Sequence, residues 1–277
     1  MDVRVTSDPQ AFAQTVFPFL QQDPVLHTII MSNVHERATG TAGAEDEPSY
    51  FVSVHDPDVV GVAMRTPGRG VYVGALREDL AEPVADAYAG VLPDLQGVAG
   101  DRPAAHRFGR RWCELRGGEP TETRGTRLHK LIELTPLAAE GDPRPMQADD
   151  VDLVAAWGDG FAAEIGDQVA TDNQDWAERR LAERTLWIWE ANGEPVSMVG
   201  YHLPLYGVCR VGPVYTPPEH RRHGYAGALT SRVTANILAA GNQACLYTDL
   251  ANPTSNKIYH QAGYRPVADF VDVEFTR

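Results

Sequence analysis

A chain of 277 residues with 43% hydrophobic and 22% charged side chains can bury the core of one large domain or of two ordinary ones, and it contains no low-complexity tract of the kind that stays disordered. No apolar run approaches the ~18 residues of a membrane span, and no charged leader precedes an apolar stretch, so a cytoplasmic protein with no membrane partner is expected. The formal net charge of −14 argues against nucleic acid, because affinity for phosphate backbones comes mainly from accumulated Lys and Arg; an anionic ligand would have to be held locally.

In chain order, Ser7-Asp8-Pro9 is a helix start, Phe12, Val16, Phe17 and Leu20 follow at helical spacing, and Asp23-Pro24 repeats the start signal. Residues 37–49 are Gly, Ala, Thr and acid and predict a loop. Three short β-rich runs, 50–54, 59–64 and 71–73, are separated by Asp-Pro-Asp and Pro-Gly-Arg-Gly turns. A helix over 78–92, a second over 107–115 and a strand near 128–134 complete this half.

Residues 136–145, PLAAEGDPRP, have the composition of a linker. Beyond them the order starts again: helices at 149–165 and 176–184, a strand at 186–189, an Asn192-Gly193 hairpin turn, strands at 196–202 and 208–215, a helix over 224–240, a strand at 244–248, a short helix at 254–262 and strands within 266–275. Helix, helix, hairpin, strand, helix occurs twice. The expectation is an α/β (α+β) protein of two tandem units, each a mixed sheet flanked by helices, with domains at 1–135 and 146–277. Trp187 and Trp189 share one strand face and are expected to be packing or pocket wall and not a recognition platform. Cys113, Cys209 and Cys245 are odd in number, far apart and without metal-ligand spacing, so buried free thiols and no metal are expected.

The stretch PPEHRRHGYA, 217–226, sets four cationic or titratable side chains at a strand-to-helix junction in an acidic chain. Amides in the first turn of a helix lack internal partners and attract anions; Gly224 allows close approach, and Ala226 and Gly227 keep side chains clear. Arg221 and Arg222 add charge-assisted contacts. Neither a Walker loop nor a Rossmann fingerprint is present. Arg221-Arg222-His223-Gly224-Tyr225-Ala226 instead resembles the [QR]-x-x-G-x-[GA] phosphate signature of the GNAT acyltransferase superfamily. Asn252-Pro253-Thr254-Ser255-Asn256-Lys257-Ile258-Tyr259, with Gly263-Tyr264 after it, resembles that family's second signature. The likeness covers about 149–275. Arg222 departs from it, standing where many members carry glycine.

The resemblance implies acetyl-CoA, or another acyl-CoA, laid between two splayed parallel strands, here those ending at Tyr215 and over 244–248. Val214, Tyr215 and Thr216 would meet the pantetheine through their main chain, the amides of Arg222, His223, Gly224, Tyr225, Ala226 and Gly227 would cradle the pyrophosphate, and Asn252 and Asn256 would join the coenzyme contacts. Tyr259 matches the family's acid position, protonated at working pH and able to hydrogen-bond the departing thiolate. An amine acceptor of pKa ~10.4 is neutral about once in 2,500 molecules at pH 7, a cost of about 4–5 kcal/mol unless a base takes the proton. Candidates for that base are Asp249, Glu164 and His202. The implied activity is N-acetyl transfer by direct attack of a small-molecule amine or a peptide amine; the partner expected besides the acceptor is a second copy in a homodimer, with oligomeric state left open. The rival readings are a non-catalytic acyl-CoA sensor or scaffold and a nucleotide-binding protein of another kind. In the first half the corresponding junction reads Arg77-Glu78-Asp79-Leu80-Ala81-Glu82, with acids where phosphates would lie; that copy is expected to be degenerate, structural or a wall of the acceptor pocket.

Overall fold

A computed structural model describes residues 1–43, 45–166 and 172–276. The elements run in two rounds of the same order. The first is β1 (Asp2–Thr6), α1 (Pro9–Leu20), α2 (Thr28–Ala38), β2 (Tyr50–His55), β3 (Val59–Arg65), β4 (Val71–Gly74), a 3-10 turn (Glu78–Leu80) into α3 (Ala81–Ala89), β5 (Gly97–Asp101), α4 (Arg102–Arg116) and β6 (Glu119–Leu131). The second is β7 (Asp142–Pro145), α5 (Val151–Ile165), α6 (Asn173–Glu183), β8 (Leu186–Ala191), β9 (Glu194–Tyr201), β10 (Val208–Tyr215), α7 (Tyr225–Ala239), β11 (Gln243–Asp249), α8 (Pro253–Gln261) and β12 (Tyr264–Thr276). The expected α/β class with two mixed-sheet units is what the chain adopts.

Contacts divide the chain differently from composition. One compact unit holds Met1–Leu128, Asp249–Ala251 and Val267–Arg277; the other holds His129–Thr248 and Asn252–Pro266. In the first, the strand order is β1-β2-β3-β4-β5-β12-β6, with β4 and β5 parallel and β12 antiparallel to β5 from Phe270↔Asp101 to Glu274↔Gly97. In the second it is β6-β11-β10-β9-β8-β7, β6 contributing only its residues from His129 on. The final strand of each round therefore completes the sheet begun by the other round. A local pattern cannot report that exchange, which is why a boundary at 135 and a second domain running unbroken to 277 do not describe the packing.

Local chemistry explains most elements. Asp8 caps α1 by accepting from the amides of Gln10 and Ala11, and Phe12, Val16 and Leu20 are its buried face. Asp23 accepts the Leu26 amide in a turn, so α2 starts only at Thr28. Asn192 (φ 53°) and Gly193 (φ 79°) take the left-handed conformations of the β8–β9 hairpin. The segment expected as a linker holds β7, whose Pro143 and Pro145 are tolerated because it is an edge strand paired only with β8. β1 and β5 are additional strands the pattern did not signal.

The first unit buries Tyr88, Phe108 and Trp112 of α3 and α4 against Val52, Val54, Val71, Val73 and Val271. In the second unit one sheet face packs α7 and α8 through Leu229, Val233, Ile237 and Tyr259, and the other packs α5 and α6 through Val154, Trp157 and Ala177. Trp189 is core, its Nε1–H donating to the Glu140 carbonyl, and Trp187 packs under Arg232.

Candidate functional site

Within the second unit, β10 and β11 pair in parallel from Val208↔Gln243 to Val211↔Leu246 and then stop, although β10 continues to Tyr215 and β11 to Asp249. On its other side β10 shifts register against β9 between Val211 and Val214, a bulge that turns the strand as it leaves its parallel neighbour. Side chains take up what the ladder leaves: Ser197 donates to the Tyr215 carbonyl at 3.0 Å and shares a 2.8 Å hydrogen bond with the Thr216 hydroxyl. Val214 pairs with Val199 and Tyr215 with Met198. The Tyr215 ring lies against Trp157 of α5, where Gly160 leaves room for its hydroxyl.

The chain then passes through a 3-10 turn (Pro218–His220) into α7. Arg222 (φ 67°) and Gly224 (φ 85°) both take left-handed conformations, so the loop folds tightly onto the helix start. Gly224 is the N-cap and supplies no side-chain cap, unlike Asp8, Asp101, Asp172 and Asn252 on α1, α4, α6 and α8. The α7 amides are thus left to backbone geometry, and residues 221–224 are exposed. His223 stacks on Tyr225 at 5.3 Å and donates from Nδ1 to the His220 carbonyl. Ala226 is half-buried, and a Cβ on buried Gly227 would press Leu137 Cδ1 at 3.0 Å and Ile258 Cγ2 at 3.3 Å.

Two expected roles meet in one contact. Arg221 donates Nε to the Thr216 carbonyl at 2.9 Å and pairs its terminal nitrogen with Glu164 at the end of α5. The expected phosphate ligand is thereby the partner of an expected base. Asp249 belongs to the other compact unit, where it pairs with Arg124 at 3.0 Å and accepts the Ala251 amide. Beside it, burial raises the Asp272 carboxyl; Glu274 and Asp249 add to this and Arg124 opposes it. His202 contacts Arg210 at 3.1 Å, and burial, then Arg210 and Arg180, hold it well below the usual histidine range, so it is neutral at pH 7.

Tyr259 stands on α8, 8% exposed, with its ring edge-on to Tyr264 at 6.1 Å. Burial pushes its phenol up to about 12, and the Thr230 hydroxyl of α7 pulls part of the way back. Asn252 caps α8 by accepting the Ser255 amide, and Asn256 is bound to Thr248 of β11 and to the Asn252 carbonyl. Sequence reasoning missed His129, which meets Thr248 from β6; a lone histidine 119 positions away carries no local signal.

The three cysteines are buried and none is in a disulfide; burial raises Cys113 and takes Cys209 to about 11, far from a reactive thiolate. Among the described residues, no group of three or more His, Cys, Asp or Glu side chains could hold a metal ion, and no helix is long and apolar enough to cross a membrane.

Residues 190–271, from the end of β8 into β12, match the family model described as FR47-like protein. Solved structures match along the whole chain. An acetyltransferase of the GNAT family from Colwellia psychrerythraea aligns over 100% of both chains with a TM-score of 0.63 at 12% identity. A GCN5-related N-acetyltransferase from Sphaerobacter thermophilus aligns over 98% of this chain and 94% of its own, with a TM-score of 0.59 at 16% identity. The fold is the GNAT fold. A Drosophila protein shares it at a TM-score of 0.67 and 15% identity, covering 99% of this chain and 98% of its own. No curated protein matches the chain significantly. Within the GNAT fold the open β10–β11 pair and the α7 N-terminus lie together in the second unit, inside the FR47-like segment. In the first unit, Arg77 pairs with Asp79, and Glu78 and Glu82 both pair with Arg107 of α4, so the corresponding turn is filled by its own charges.

Proposed function

We propose that this chain is an acyl-CoA-dependent N-acyltransferase that passes an acetyl group from acetyl-CoA to a primary amine. The observation that carries the reading is the parallel ladder that ends at Val211↔Leu246 while both strands run on, immediately before an α7 N-terminus without a side-chain cap. The main-chain edges of two parting strands suit an extended pantetheine, and helix-start amides suit a diphosphate. Arg222 is the cation of the loop best able to add to them, since Arg221 is already held by Thr216 and Glu164.

In this reading the neutral amine attacks the thioester carbonyl. A C–N bond forms, a main-chain N–H on the open edge of β10 stabilises the oxyanion, and collapse breaks the C–S bond. The nitrogen loses one proton to a base or to water, and the sulfur leaves as thiolate facing the Tyr259 hydroxyl. Holding amine and thioester in attack geometry supplies much of the rate. No cysteine intermediate is required, and Cys245→Ala is expected to remain active. The non-catalytic sensor reading has one observation in its favour: Glu164 and Asp249 both stand in ion pairs with arginines. Calorimetry with acetyl-CoA, followed by thiol release across a panel of amines, separates the two. Binding with release supports the transferase, binding without release under every amine supports the sensor, and preference for ATP over acetyl-CoA would reject both.

A further inference from the structure

If Tyr259 is to meet a departing sulfur, α8 must keep a fixed distance from the open end of β11. A chain of hydrogen bonds, buried at His129 and Thr248 and reaching the surface at Asn252, spans that distance. His129 on β6 is 3% exposed and Thr248 on β11 is 5% exposed. Thr248 Oγ1 donates to Asn256 Oδ1 at 2.8 Å, and Asn256 Nδ2 donates to the carbonyl of Asn252, the N-cap of α8, at 2.8 Å. A threonine hydroxyl has one proton, and it is spent on Asn256. At the 3.0 Å contact with His129 Nε2 the same oxygen must therefore accept, so the histidine carries a proton on Nε2. The chain of donors has one direction, from β6 through β11 into α8.

Its location gives it a role. Thr248 lies two residues past Leu246, the last β11 residue paired with β10, so the relay grips β11 where the strand has left its parallel neighbour. Asn256 precedes Tyr259 by three positions, and the two side chains therefore share a helix face. We infer that His129 is a positioning residue: through its Nε2–H it pins the open end of β11 to α8 and so sets where the Tyr259 hydroxyl stands along the cleft. The inference rests on the acyltransferase reading. Removing the donor leaves the buried Thr248 oxygen with only its donated bond to Asn256, and the strand end and helix then shift to replace the bond it accepted.

Three variants test it. His129→Leu removes the donor, His129→Gln restores an N–H at similar reach, and Thr248→Val removes the relay oxygen. With acetyl-CoA and an amine that the wild type accepts, His129→Leu is expected to lower kcat about tenfold or more, towards the ~100-fold that a 1 Å misplacement costs, while the acetyl-CoA dissociation constant moves less than about threefold. His129→Gln is expected to recover most of the rate. The double variant His129→Leu/Tyr259→Phe is expected to be no slower than Tyr259→Phe alone, because both act through one hydroxyl. Additive losses in the double variant, or a His129→Gln protein of wild-type melting temperature as slow as His129→Leu, would overturn the inference. If the wild type neither binds acetyl-CoA nor releases thiol, the acyltransferase reading fails, and nitrogen-15 NMR of the imidazoles still reads the relay. An Nε2-protonated His129 whose proton exchanges slowly, and quickly in Thr248→Val, sustains the clamp; an Nδ1-only tautomer removes it.

Discussion

Replacing Tyr259 with phenylalanine deletes one hydroxyl and leaves the ring against Tyr264. The phenol sits at about 12 because it is buried. Against a thiol near ~8.5, handing over its proton would be uphill by about 3.5 pH units, close to 5 kcal/mol, so in the proposed reaction the group would act as a hydrogen-bond donor to the sulfur and not as a proton source. A hydrogen bond to a charged partner contributes about 1.5–3 kcal/mol, which at ~1.36 kcal/mol per decade is a ~10–150-fold fall in kcat. Thiol release at saturating acetyl-CoA and amine measures it, with calorimetry to confirm that acetyl-CoA affinity has held. A kcat within about twofold of wild type would refute the reasoning and leave Tyr259 a core side chain. The same burial fixes a stability window. The folded pKa lies above the unfolded value of ~10, so the folded state holds the proton more tightly; that stabilisation is complete below pH ~10 and is lost as the pH rises towards 12. The rise from ~10 to about 12 corresponds to about 3 kcal/mol. Urea unfolding of the wild type should therefore lose more stability over that range than the phenylalanine variant does, and equal losses would contradict the assigned cause.

Gly263→Ala should be the harshest glycine change near the site: at φ +103° its Cβ would run into the Glu133 carbonyl oxygen, and backbone strain plus overpacking are expected to cost about 2–5 kcal/mol in urea unfolding. Gly224→Ala meets only ordinary contacts, Ala138 O at 3.6 Å and Ala139 Cβ at 3.7 Å, so its cost should be the ~1–2 kcal/mol of a left-handed alanine and its acetyl-CoA affinity should fall by about 5–30-fold; no change in either would discredit the phosphate-loop assignment. Glu82→Ala breaks an exposed pair with Arg107 and should leave acetyl-CoA affinity unchanged by calorimetry, whereas a tenfold loss would place the first unit at the coenzyme. A chain ending at Pro266 loses the β12 partner of β5, together with Phe275 stacked on Trp112, and limited proteolysis should then cut within 1–128; an unchanged digestion pattern would contradict the shared sheet.

β10, α7 and α8 were legible within a residue or two because each carries its own punctuation: Val-rich residues before Pro217, Gly224 at a helix start, and Asn252-Pro253 at another. β1 and β5 were not. Five residues offer too little alternation, and in β5 Gly97 and Gly100 hide the two-residue period. The prolines of β7 read as linker because sequence does not say whether a strand is an edge. Arg221 and Glu164 were each singled out, but their pairing joins residues 57 positions apart. His129 lay beyond reach for the same reason: its significance comes from Thr248, and only the fold brings the two together. Motifs report the chemistry a segment can perform, while the partners that restrain that chemistry are supplied by distant strands.

The exchange of final strands bears on how the molecule is made. When β5 leaves the ribosome its edge away from β4 has no mate, and it acquires β12 only after the second round has been synthesised. An uncovered edge is a template for foreign pairing, so nascent chains would depend on a chaperone or on rapid completion to avoid sticking to one another. A mutation that slows synthesis or folding of the chain before β12 would lengthen the time that edge stays open.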